Sequence, residues 1–255
     1  MTLSKFDLKD KRALITGSSQ GIGQALAHGL GGAGAAIILN GRDGAKLELA
    51  AQTLRDTGAT VDMRVFDVTD RAATQMAIDE YEQDHGPIDI VVNNAGVQHR
   101  SELQDFPPDD FDRLLKTNIS SVFYVAQAAA KHMIKRGAGK IINISSVNAA
   151  LARNTIAPYT ATKGAVSNLT KGMATDWAKY GLQCNAIAPG YFETPINRAL
   201  MDNPEFNGWL INRTPAGRWG QLEELQGACI FLASDASSFV NGHTLFVDGG
   251  LTVSL

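Results

Sequence analysis

Only two cysteines, Cys184 and Cys229, occur in 255 residues, and each stands alone inside an apolar stretch. That scarcity excludes a secreted disulfide framework, and without a C-x-x-C spacing it excludes the usual thiolate metal sites; both read as buried free thiols. An excess of positive charge is also missing. With 23 Lys and Arg against 26 Asp and Glu, the net charge is −3. No basic segment is massed anywhere, so nothing steers a polyanion and a nucleic-acid partner is excluded. The five histidines, His28, His85, His99, His132 and His243, have no partners at ligand spacing, and no metal is expected. Long hydrophobic runs are absent too. None approaches the roughly 20 residues that span a bilayer, and the opening MTLSKFDLKDKR lacks the apolar core of a secretion signal. The expectation is a cytoplasmic protein with no membrane contact.

What is present is an ordinary globular composition, 44% hydrophobic and 19% charged, with 25 glycines to make tight turns. Seven short aliphatic runs, RALIT, AAIILN, TVDMRVFDV, DIVVNN, KIINIS, QCNAIA and TLFVD, alternate with longer stretches of helical period. Runs as continuously apolar as Ile88–Val92 and Ile141–Ile144 suit strands buried on both faces. The pattern predicts one α/β domain over residues 1–255: a doubly wound, parallel, seven-stranded sheet with helices on both faces. One segment breaks the rhythm. From about Phe192 to Trp219, Pro195, Pro204 and Pro215 accompany Trp209 and Trp219, which reads as a substrate lid over the strand ends.

Gly17, Gly21 and Gly23 lie in TGSSQGIG, where the first strand passes into a helix, so backbone N–H groups there, with Ser19 and Ile22, suit a pyrophosphate. The spacing Gly-x3-Gly-x-Gly is not the common G-x-G-x-x-G fingerprint. Two further strand ends point to the same crevice. Asp67-Val68 offers a carboxylate and an amide to an adenine edge, and Asn94-Ala95-Gly96 permits close approach of a ligand. After the second strand come Asn40-Gly41-Arg42, with no carboxylate at the first two positions to repel a 2′-phosphate and a guanidinium to fork onto one. That favours NADP(H) over NAD(H). Asp43 reads as a helix cap.

Tyr159 and Lys163 follow Pro158 at the start of a helix, one turn apart on one face. A free phenol, with a pKa of about 10, is too weak an acid to exchange protons readily near neutral pH, so a neighbouring ammonium is expected to lower it. Ser146, thirteen positions before Tyr159, ends an adjoining strand where its hydroxyl reaches a substrate oxygen. Asn118 lies inside the helix around Phe111–Ile119, where an amide is a poor core residue, and is expected to hold a water that relays protons to Lys163.

TGSSQGIG, DVTD, NNAG, the in-helix Asn118, Ser146, Tyr159-x3-Lys163 and Pro189-Gly190 occur in the order of the short-chain dehydrogenase/reductase family, which the chain resembles along almost its whole length. The resemblance implies a Rossmann-like fold, a catalytic tetrad of Asn118, Ser146, Tyr159 and Lys163, and a loop from Pro189-Gly190 to Thr194 that positions a nicotinamide. It implies Ser146 rather than Ser145, and a homotetramer. Gln20 departs from the Lys or Arg that many NADP-using relatives carry before GIG, which places phosphate recognition on Arg42. The stretches VQHR at Val97–Arg100, PGYFET, RTPAGRWG and FVNGH are similar to those members of the family that interconvert D-gluconate and 5-keto-D-gluconate. Arg100 is then expected to clamp the sugar-acid carboxylate, with Ser146 and Tyr159 at the reacting carbon. Two other readings compete: a 3-oxoacyl-thioester or other polyol/ketone reductase with the same tetrad, and a nicotinamide-nucleotide-binding sensor or scaffold without turnover.

Overall fold

Alternation within the apolar runs decides the layering. Successive side chains of a strand point to opposite faces, so a strand buried on both faces must feed two cores. In β1 (Arg12–Ile15), Ala13 and Ile15 join one core and Leu14 the other; in β2 (Ala36–Gly41), Ile37 and Leu39 oppose Ile38. The computed structural model describes residues 2–255. The same division holds in β4 (Ile90–Asn93), where Val91 opposes Ile90 and Val92, and in β5 (Gly139–Ile144), where Ile141 opposes Ile142 and Ile144.

The seven strands are all parallel, in the order β3-β2-β1-β4-β5-β6-β7, with β3 at Val61–Val65, β6 at Leu182–Pro189 and β7 at Thr244–Val247. On one face lie α1 (Gly21–Gly32), α2 (Gly44–Arg55) and α9 (Gln226–Ala233), burying Leu26, Leu47 and Leu232. On the other lie α3 (Arg71–Asp84), α5 (Ser121–Arg136) and α6 (Ala157–Trp177), burying Ile78, Val125 and Val166. The edge strands β3 and β7 are shorter and less buried than their apolar runs suggest, because a strand with one neighbour has half the cover. Cys184 and Cys229 are buried and free, as the sequence indicates.

The chain leaves β1 for β2 and β3 on one side and returns to β4 on the other, so the loops after β1 and β4 part and leave a crevice. Two local features shape it. Between α4 (Pro108–Leu115) and α5 the helix takes one π-helical turn, Lys116–Ser120, which turns Asn118 inward; it is 1% exposed. Above the strand ends, residues 192–219 form α7 (Arg198–Met201) and α8 (Pro204–Arg213). Tyr191, Phe206, Trp209 and Trp219 pack there as an aromatic group, and Trp219 Nε1 donates to Asn207 at 2.6 Å. Among the described residues no helix is long and apolar enough to cross a membrane.

Candidate active site

A cavity of about 1150 Å³ opens along the carboxyl ends of β1, β2, β4, β5 and β6. It is lined by Gly17, Ser19, Gly21, Ile22, Arg42, Asp67, Val68, Asn94, Ala95 and Gly96, and further along by Arg100, Ser146, Tyr159, Lys163, Pro189, Gly190 and Thr194. Two expected residues stand behind its wall. A Cβ on Gly23 would lie 2.4 Å from Asn94 Nδ2 and 2.6 Å from the Gly17 carbonyl oxygen, so this glycine lets α1 close against the loops. Asn118 is the other. Its Oδ1 accepts from Val97 N–H at 2.8 Å, while Nδ2 donates to Val97 O at 2.9 Å and Thr162 Oγ1 at 3.1 Å. Both N–H donors of the amide are therefore spent, and Asn118 braces the loop after β4.

The turn after β1 is built to leave backbone donors open. Gly17 and Gly21 have φ of +61° and +59°, a region that disfavours side chains. Gln20, at the start of α1, makes no side-chain cap, whereas Asp43 and Asp70 cap α2 and α3. The first turn of α1 thus keeps the unpaired N–H groups and positive end of a helix for an anion. Thr16 and Asn94 fix the turn: Thr16 Oγ1 accepts from the N–H groups of Asn94 and Ala95, and Asn94 Nδ2 donates to the Thr16 and Gly17 carbonyls at 2.9 and 3.0 Å. Arg42, its side chain 75% exposed, lies 3.8 Å from the Asp67 carboxylate. At the opposite end Thr194 Oγ1 is buried, with no hydrogen-bond partner among the described residues. An open helix start, an exposed guanidinium beside a second strand end and an orphaned hydroxyl fit the phosphates, ribose and far ring of a dinucleotide.

Beyond that stretch the reactive side chains converge. Lys163, 6% exposed, donates from Nζ to the Ile144 carbonyl at 2.8 Å and sits 5.6 Å from the centre of the Tyr159 ring. Burial pulls its pKa down to about 8. The Tyr159 phenol is pushed up to about 12 by desolvation, which a hydrogen bond with Ser146 opposes and Tyr191 reinforces. This differs from the expectation that Lys163 would lower the phenol: the ammonium is turned toward Ile144, and desolvation prevails. Both serines line the cavity, but Ser145 Oγ is engaged by the Lys163 carbonyl at 3.1 Å and by Ser167 Oγ at 2.8 Å in the packing of α6, whereas Ser146 hydrogen-bonds the Tyr159 phenol.

Arg100 lies on the loop after β4, partly buried, its pKa lowered by that burial and by the charge of Arg153. Arg153 and Tyr191, which sequence reasoning did not assign to the substrate, stand with it. Their placement had no signal in spacing, because it depends on how three loops meet above the sheet.

A profile described as enoyl-(acyl carrier protein) reductase matches residues 17–252. The chain belongs to the short-chain dehydrogenase/reductase family, and a short-chain type dehydrogenase/reductase of Mycobacterium marinum superposes with a TM-score of 0.95 at 35% identity over the full length of both chains. Within the family the similarity narrows. The chain is 56% identical to gluconate 5-dehydrogenase of Gluconobacter oxydans and 48% identical to 5-keto-D-gluconate 5-reductase of Escherichia coli, each alignment covering 98% of both proteins. It is 60% identical to a gluconate 5-dehydrogenase from Burkholderia cenocepacia, solved in complex with NADP and tartrate, with a TM-score of 0.98 and full coverage of both chains.

Proposed function

We propose that this chain interconverts D-gluconate and 5-keto-D-gluconate with NADP(H). The observation that carries the reading is one crevice that joins an open α1 start to Tyr159, Lys163 and Ser146, and these to Arg100. A cofactor would be held by Gly17, Ser19, Gly21 and Ile22 at its phosphates, by Arg42 at a 2′-phosphate, and by Asp67 and Val68 at its adenine. Asn94, Ala95, Gly96, Pro189, Gly190 and Thr194 would enclose the rest. When bound, it supplies or accepts a hydride.

The chain's own groups do the remainder. Ser146 and Tyr159 hydrogen-bond the carbonyl oxygen of the keto acid. Tyr159 donates its proton to that oxygen during reduction and takes one back during oxidation. Lys163 stabilises the phenolate that remains and bonds the cofactor ribose, and Asn118 keeps the Val97 loop in register with Thr162 on α6. Arg100 holds the carboxylate. Residues 192–219 act as a lid, and the exposed Phe111 and Phe123 near α5, with Phe246 on the β7 edge, are the apolar positions a homotetramer would cover. The chain's proposed place of work is the cytoplasm.

The test follows reduced-nicotinamide absorbance with 5-keto-D-gluconate, offering NADPH and NADH separately, with a 3-oxoacyl thioester as the rival substrate. Faster turnover of the keto acid with NADPH is expected. Turnover of the thioester alone would overturn the substrate and keep the chemistry.

A further inference from the structure

The substrate end of the crevice carries more positive charge than Arg100 alone. Arg153, on the loop between β5 and α6, also lines the cavity, and its Nε is buried with no hydrogen-bond partner among the described residues. Among the described residues neither arginine forms an ion pair. The two loops are tied together: Ser101 N–H donates to the Thr155 carbonyl at 3.1 Å. Thr155 itself has φ of +68°, a strained conformation for a β-branched residue, and such strain persists only where surroundings impose it. On its other side the Arg153 guanidinium lies 5.0 Å from the centre of the Phe206 ring of α8. A guanidinium resting on an aromatic face keeps its N–H edge in plane and free to donate.

Two unneutralised guanidiniums in a half-buried pocket repel each other and leave donors unpaired. A carboxylate answers both, since its two oxygens accept from two forks at once. Tyr191 also lines the cavity, its phenol raised by burial and drawn back by the charges of Arg153 and Arg100. We propose that Arg153 is a substrate-binding residue, the second arm of a two-arginine carboxylate clamp, and that its contact with Phe206 links the bound carboxylate to the segment over the crevice. This rests on the sugar-acid reading above and adds to it the residue that sets specificity for acids over neutral sugars.

The experiment compares the wild type with Arg153→Gln, Arg153→Lys and Phe206→Leu on 5-keto-D-gluconate and on L-sorbose, which has the same keto-sugar skeleton with an alcohol in place of the carboxylate. Loss of a charged hydrogen bond predicts that Arg153→Gln lowers kcat/KM for the keto acid by roughly 10- to 150-fold, mostly through KM. The same variant should leave L-sorbose within about twofold, and Arg153→Lys should recover part of the loss. Phe206→Leu should raise KM for the acid less than Arg153→Gln does. Equal losses on both substrates would make Arg153 a structural pin, and no loss would remove it from the site; either overturns the proposal. Calorimetry of D-gluconate against D-glucitol on the NADP-loaded protein separates this from the parent reading. If the wild type turned over no keto acid, selective D-gluconate binding lost in Arg153→Gln would still support the clamp. Binding unchanged in that variant, or absent from the wild type, would overturn it.

Discussion

Replacing Lys163 by methionine should change the pH dependence of stability in a way that no surface lysine would. Lys163 is buried, and its pKa falls from the ordinary 10.5 to about 8 because burial disfavours the charged form. Its folded value therefore lies below its unfolded value. Between about pH 8 and pH 10.5 the unfolded chain holds a proton that the folded chain has released, so Lys163 makes the wild type more stable as pH rises through that window. The slope approaches about 1.4 kcal/mol per pH unit, and between about pH 7.5 and about pH 9.5 the gain integrates to roughly 2 kcal/mol. Near neutral pH the buried charge costs about 3 kcal/mol, from the fall of its pKa from 10.5 to about 8. Lys163→Met removes that cost, but also removes the 2.8 Å bond to the Ile144 carbonyl, a loss of about 1–3 kcal/mol. The two nearly offset at neutral pH, which makes the pH dependence the readout. Urea unfolding of cofactor-free wild type and Lys163→Met at the two pH values, taken as a difference, cancels the tyrosines that titrate in both. The wild type should gain about 2 kcal/mol on the variant. Parallel stability curves would refute the burial of this charge.

Tyr159→Phe should lower ketone reduction by about 10²- to 10⁴-fold while NADPH still binds, read by stopped-flow and by nucleotide fluorescence. In Gly23→Ala the new methyl would meet Asn94 Nδ2 at 2.4 Å and the Gly17 carbonyl at 2.6 Å. A loss of about 1–3 kcal/mol in urea, with weaker NADPH binding, is expected; an unchanged midpoint would show that α1 stands further from the loops. Arg42→Gln should reduce the preference for NADPH over NADH by roughly tenfold, the low end for a charged hydrogen bond because the side chain is exposed. Equal preference before and after would move 2′-phosphate recognition elsewhere.

The fold and the crevice lining were legible because their signals are local. Alternation within AAIILN dictates that Ile38 opposes Ile37 and Leu39 whatever packs outside, and Asp43 must cap α2 because its carboxylate reaches the N–H groups of Ala45 and Lys46. Gly23 and Asn118 were legible as special positions, but the contacts they make inside the chain were not. A glycine that receives a ligand and one that receives Asn94 look alike in sequence, and whether an amide is free depends on Val97 and Thr162, 21 and 44 residues away. Arg153 depended on still more distant neighbours, since Phe206 reaches it from the segment over the strand ends.

The same distinction explains the proton chemistry. Spacing placed Lys163 beside Tyr159, and only the environment could assign their charges. With its phenol held near 12, Tyr159 is protonated at neutral pH, the form that donates to a ketone oxygen; Lys163, near 8, is still largely charged there. The folded chain alone is thus set for the acid step of reduction, and the base form needed for alcohol oxidation grows as pH rises. Gluconate oxidation should therefore increase with pH while 5-keto-D-gluconate reduction stays nearly level, because the phenol remains protonated, in steady-state rates measured from about pH 6 to about pH 10. A parallel pH dependence of the two directions would remove Tyr159 as the group that exchanges the proton.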